Sequence, residues 1–192
     1  MAEVLQDEAV LTALEDGLPR DQLYEQVARD FRDALARLAR GYESDQDKCR
    51  DLLQEIHLAL WRSFDAFDGR CSLRTWVYRI AHNVAISQVT RRRGNTPSLI
   101  SLEDFEAFSA AGRFDEREKT LDRQRAMERL FALIQKLKPV DRQTILLYLE
   151  GLDAASIGDI TGLSAANVST KIHRIKSILI RQFKKKSDRN DG

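Results

Sequence analysis

Residues 69–94 read GRCSLRTWVYRIAHNVAISQVTRRRG. The segment holds Arg70, Arg74, Arg79, Arg91, Arg92 and Arg93 and neither Asp nor Glu, although the 192-residue chain is nearly neutral, with 31 basic and 30 acidic residues. At helical spacing, Leu73, Val77, Ile80, Ala81 and Val84 form one apolar side, and Ser72 stands where an N-cap would accept from the first free amides. A helix from Ser72 to about Arg92 is expected. Its apolar side has to be buried on something.

The partners lie upstream. Leu23, Val27, Phe31, Ala34, Leu35 and Leu38 recur at helical spacing and predict one helix over Arg20–Tyr42. Leu53, Ile56, Leu60 and Phe64 predict a second over Asp47–Phe64, and Asp68-Gly69 closes the loop before the third. Three stripes satisfied by packing on one another make a helical domain. Residues 95–122 break the pattern with Pro97, Ser98, Ser101, Ser109 and Gly112, and seven acids there face three bases. They read as a linker, with a short helix around Leu102–Ala110.

Periodicity returns at Met127, Leu130, Leu133, Ile134 and Leu137 and stops at Pro139. Asp141 is expected to cap a helix from Arg142 to Glu150, which Gly151 ends. Asp153 caps a short helix containing Ile157 and Ile160, Gly162 supplies a turn, and Ser164 caps a longer helix carrying Val168, Ile172, Ile175 and Leu179. The expected fold is all-α, with two small helical domains joined by a linker. The divisions are an acidic arm (1–19), a first domain (20–94), the linker (95–122), a helix-turn-helix domain (123–186) and a tail (187–192).

Composition narrows the function. Nine Gly and three Pro argue against an all-β fold, and no apolar run approaches the roughly 20 residues that span a bilayer. The first 17 residues carry five acids and no base, the reverse of a secretory signal, so a cytoplasmic address is expected. Cys49, Cys71, His57, His82 and His173 lack metal-ligand spacing; no metal or cofactor is expected, and the cysteines read as reduced structural thiols. Asp51 and Glu55, at i and i+4, are the nearest approach to a paired-carboxylate site, and an exposed helix face explains them more simply. An enzyme is not expected.

Nucleic acid is the ligand the charges favour. In the last helix Asn167, Thr170, Lys171 and Arg174 fall at i, i+3, i+4 and i+7 opposite the apolar side, flanked by Ser169 and His173, with Lys184, Lys185 and Lys186 beyond. Arg and Asn can bond guanine and adenine edges in a major groove, and Lys and hydroxyls suit phosphates or bases. On the third helix Trp76, Arg79 and Asn83 are expected to border the apolar stripe rather than join it. Two readings stand for this trio: a surface that stacks and hydrogen-bonds a base outside the duplex, or a core-edge indole beside a buried amide.

In the order of its motifs the chain resembles the extracytoplasmic-function (ECF) sigma factors, the smallest group of bacterial RNA polymerase sigma subunits. DLLQEIHLALWRSFDAFDG (51–69) resembles region 2.2, SLRTWVYRIAHNVAISQVTRRR (72–93) regions 2.3 to 2.4, and LKPVDRQTILLYLEGLDAASIGDITGLSAANVSTKIHRIKSIL (137–179) region 4. The resemblance implies a promoter-specificity subunit with core polymerase (its β and β′ subunits), promoter DNA and an anti-sigma factor as partners, monomeric when free of them. It implies that Asp51, Gln54, Glu55 and Leu58 grip the β′ clamp helices. The loop with Phe64, Asp65 and Phe67 would receive a flipped base of the −10 element, read with Asn83. Trp76 would edge the melted region, with Arg74 and Arg79 near the backbone. Asn167, Ser169, Thr170, His173 and Arg174 would meet the −35 element, and Lys171 a phosphate. The linker would thread the RNA exit path.

Two departures from the family pattern stand out. Lys48-Cys49-Arg50-Asp51 replaces a usual Asp-Ala-Glu-Asp, which implies weaker attraction to a basic clamp surface. Ser169 stands where a basic residue is common, implying a different −35 preference. A dimeric helix-turn-helix regulator would leave both the Trp76–Arg79–Asn83 trio and the DLLQEI helix unexplained.

Overall fold

The computed structural model describes residues 20–92 and 119–187. The chain divides into two compact units, the first ending at Asn95. Among the described residues there are helices and turns but no strand.

The first unit contains α1 (Arg20–Asp30), α2 (Arg32–Tyr42), α3 (Gln46–Ser63), a 3-10 turn (Phe64–Ala66) and α4 (Leu73–Arg92). The single helix expected over Arg20–Tyr42 is interrupted at Phe31, which adopts φ −98°, ψ 4°. The interruption is slight: the Phe31 amide still donates to Val27 O at 2.9 Å, and the Leu35 amide to Phe31 O at 2.8 Å. Helix α3 starts one residue earlier than expected because Asp45 is its cap, its Oδ1 accepting from the amides of Asp47 (3.1 Å) and Lys48 (3.0 Å). Its buried row is Leu52, Ile56, Leu60 and, one turn on, Phe64; Leu52 takes the place assigned to Leu53, which is half-exposed. A strict four-residue step keeps these side chains in one line along the helix.

Helix α4 packs on both α2 and α3, so its buried surface is wider than one stripe. Ser72 caps it as expected, its Oγ accepting from the Thr75 amide at 3.1 Å. Leu73, Val77 and Ala81 are buried, but so are Thr75, Trp76, Tyr78, His82, Ala85 and Gln88, while Ile80 and Val84 are half-exposed. Tyr42 Oη and His82 Nδ1 lie 2.8 Å apart inside this core. Burial holds the His82 imidazole neutral, its pKa lowered to about 3.

The second unit contains α5 (Lys119–Ile134), α6 (Pro139–Leu149), α7 (Ala154–Thr161) and α8 (Ala165–Ser187). Helix α5 begins inside the segment assigned to the linker. The rest of that linker up to residue 118 lies outside the described residues, as do its Leu102–Ala110 helix, the acidic arm and residues 188–192. Pro139 opens α6 at its first position, where a missing amide hydrogen costs nothing. Asp141 is not the cap expected of it: it sits in the first turn of α6, buried. Residues 141–147 are all buried, so α6 runs through the middle of the unit rather than along its surface. Arg142, 2% exposed, donates from its guanidinium to the carbonyl of Gln135 and, at 3.2 Å, to that of Leu137. Those groups belong to the turn that leads out of α5.

The turns after α6 form as expected. Asp153 caps α7, its Oδ1 accepting from the Ser156 amide at 2.7 Å, and Gly162 ends it at φ 76°. Ser164 Oγ accepts from the Asn167 amide at 3.3 Å at the start of α8. Gly158 sits where α7 meets the turn: a Cβ there would lie 2.6 Å from the Leu163 carbonyl oxygen. Two short-linked helices held this closely, with α8 lying on α6 and α7, form a helix-turn-helix.

Candidate nucleic-acid interface

Helix α8 sorts its residues by side. Val168, Ile175, Ile178 and Leu179 are buried, whereas Asn167, Ser169, Thr170, His173 and Arg174 are exposed. The five residues assigned to duplex reading therefore share the solvent side of one helix, close to its N-terminal end. Ser169 Oγ donates to Ala165 O at 3.0 Å and Thr170 Oγ1 to Ala166 O at 2.9 Å. With their hydrogens turned back into the helix, both hydroxyls present acceptor lone pairs outward. That state suits a cytosine or adenine amino group better than a phosphate.

Lys171 lies apart from this set. Its Nζ donates to Asp141 Oδ1 at 2.5 Å, across from α8 to α6, and its side chain is half-buried. Sequence reasoning missed this pair because the two residues are thirty positions apart and Asp141 stands where a cap is common. Lys176, on the same helix, was also unassigned; it donates to Tyr148 Oη at 3.1 Å and lies 5.1 Å from that ring's centroid.

In the first unit the expected trio separates. Trp76 is 8% exposed and belongs to the core it was expected to border, with Phe64 and Phe67 rings tilted against it at 5.1 and 5.2 Å between centroids. Phe64 and Phe67 are themselves buried, and Asp65 between them is exposed. The three rings thus form the floor of the loop that carries Asp65. Asn83 is exposed, not the buried amide of the alternative reading. Arg79 is half-buried, and its Nε is out of contact with solvent and without a hydrogen-bond partner. Arg74 lies 5.9 Å over the Tyr78 ring.

Helix α3 turns Asp51, Gln54, Glu55 and Leu58 to solvent at i, i+3, i+4 and i+7. Leu58, 46% exposed, is an apolar side chain in an otherwise polar and acidic row. Of the two bases that depart from the family pattern, Arg50 is ion-paired to Asp47 one turn back, while Lys48 is exposed. Among the described residues no group of three or more His, Cys, Asp or Glu is arranged to hold a metal ion, and no helix is long and apolar enough to cross a membrane.

Residues 27–95 match the family model of sigma-70 region 2, and residues 127–179 that of sigma-70 region 4. The ECF RNA polymerase sigma-E factor of Haemophilus influenzae is 27% identical over 185 residues, covering 93% of this chain and 96% of that protein. This chain belongs to the ECF sigma factors. The sigma-E factor of Escherichia coli K12 is 25% identical over 184 residues, covering 93% and 95% of the two chains. Two solved structures share the fold. CnrH in complex with the cytosolic domain of CnrY has a TM-score of 0.65 at 18% identity, covering 93% of this chain and 97% of that one. The sigma factor RpoE of Bartonella quintana, in complex with the anti-sigma factor NepR, has a TM-score of 0.61 at 21% identity, covering 84% and 96%. As an ECF sigma factor the protein is a promoter-recognition subunit whose partners are core RNA polymerase and promoter DNA.

Proposed function

We propose that this sigma factor divides promoter recognition between its units, α8 reading the intact −35 duplex and the α4 side of the first unit stabilising the opened −10 element. The observation that carries this is the exposed row Asn167, Ser169, Thr170, His173 and Arg174 on one side of a helix in a helix-turn-helix. In the first unit Asp65 and Asn83 are the groups placed to hydrogen-bond an unstacked base, with Arg79 and Arg74 toward the backbone. Phe64, Phe67 and Trp76 hold the loop's shape and supply apolar surface beneath it. Binding energy directed at a captured base favours the separated strands over the closed duplex. Helix α3, through Asp51, Gln54, Glu55 and Leu58, is the surface for core polymerase, with Leu58 as its apolar anchor.

The protein works in the cytoplasm, without chemistry of its own, and an anti-sigma factor would cover these surfaces until they are needed. The anti-sigma partners of the two structural neighbours support this last element. Reconstitution tests the whole: purified protein and core polymerase are expected to yield transcripts from a subset of genomic fragments. Arg174→Ala should abolish duplex selection, and Asn83→Ala should leave it intact while reducing permanganate-reactive, opened promoter. A stable homodimer that binds symmetric sites and does not join core polymerase would overturn the proposal.

A further inference from the structure

Lys171 lies on the helix assigned to duplex reading, yet its Nζ is 2.5 Å from Asp141 Oδ1. Asp141 is 5% exposed, in the first turn of a helix buried from residue 141 to residue 147. Its neighbour Arg142 is fastened in turn to the carbonyls of Gln135 and Leu137. The Asp141 carboxylate is therefore held on a rigid base, and Lys171 approaches it from the half-buried side of α8. An ammonium committed to a buried carboxylate is poorly placed to serve a DNA phosphate as well: leaving would strand the buried charge.

We infer that Asp141 and Lys171 are a positioning pair: Lys171 binds the protein rather than DNA and fixes the roll of α8, so that Thr170 on one side of it and Arg174 one turn on face outward. This deepens the duplex-reading proposal and rests on it. With Lys171 engaged on the protein side, recognition falls to the exposed Ser169, Thr170, His173 and Arg174 of the same helix. A rotation of α8 by a fraction of a residue's turn would displace all four side chains together. Sequence selectivity should therefore suffer more than general affinity for DNA.

The test uses the full chain bound to core polymerase. The probe is a promoter duplex that this holoenzyme selects from random fragments, and the control is a scrambled duplex of equal length. Asp141→Asn, Lys171→Met and the double variant are each expected to lower the selected-to-scrambled binding ratio by the same factor, about tenfold, rather than multiplying. The slope of log affinity against log salt should stay as in the wild type. Lys171→Arg, which keeps the charge, should retain most of the ratio. Circular dichroism and urea titration confirm equal folded fractions, so that a purely structural loss is separated from a loss of selectivity. Two results overturn the inference: a slope reduced by about 0.9 in Lys171→Met, the mark of a lost phosphate contact, or an unchanged ratio in Asp141→Asn. If the wild-type holoenzyme selects no fragment, the duplex-reading proposal fails by itself. The urea double-mutant cycle then decides on the pair, and additive losses there overturn it.

Discussion

On α8, Asn167, Ser169, Thr170, His173 and Arg174 stand exposed on a helix whose opposite side is core, whereas on α4 Trp76 is sunk between Phe64 and Phe67. The difference follows from what each region is assigned to read. Base edges of an intact duplex are offered at the floor of a groove, so an outward row of polar side chains on a rigid helix is sufficient. A base pulled from its stack has to be enclosed, and enclosure needs a shaped loop resting on something firm. The aromatic trio supplies that support. The polar groups that would meet the base, Asp65 and Asn83, are the exposed ones.

The comparison can be broken most forcefully at its aromatic floor. Trp76→Ala should destabilise the first unit by about 3–5 kcal/mol in urea titration followed by circular dichroism, with Trp76→Phe costing far less. If Trp76→Ala proved neutral, the indole would not be the support described. Acid should act on the first unit in a way that the second cannot share through a buried histidine. The His82 pKa falls from 6.5 to about 3 on folding, so the unfolded chain takes up the proton first. Stability contributed by the neutral ring is complete above about pH 6.5 and is lost at about 1.4 kcal/mol per pH unit as pH falls toward about 3. His82→Asn should flatten that slope, measured as urea midpoints across the range.

In the second unit, Gly158→Ala should cost about 1–3 kcal/mol, because the new methyl meets the Leu163 carbonyl rather than a movable side chain. Duplex binding should fall with it, read by fluorescence anisotropy with holoenzyme. The smallest stability effect belongs to Asn83→Ala, within about 0.5 kcal/mol for an exposed residue. Loss of promoter opening without loss of stability would sharpen the contrast between α4's surface and its core.

Much of the architecture was legible because the caps and turns declare themselves locally. Ser72, Asp153, Gly162 and Ser164 act where the residues placed them, through bonds spanning three or four positions. The exposed row on α8 was legible for the same reason, since its apolar stripe has one side only. Helix α4 was misread because it is covered by both α2 and α3, and a helix buried on two sides has no single stripe to find. That is why Trp76 was placed at the border and why His82 and Gln88 were not seen as interior. Asp141 was misread as a cap because its partner, Lys171, is brought to it only by the packing of α8 on α6. Such a long-range charge pair leaves no periodic trace.

Arg142 limits how the C-terminal half can be cut down. Its guanidinium rests on carbonyls contributed by Gln135 and Leu137, which precede the helix-turn-helix proper. A fragment starting at Pro139 would keep every residue of the DNA-reading motif and yet remove two carbonyls to which a buried guanidinium donates, a loss of about 1.5–3 kcal/mol for each bond. The shortest piece that keeps both bonds must therefore start no later than Gln135, in the turn ahead of the helix-turn-helix, and a domain transplanted without that turn would arrive destabilised.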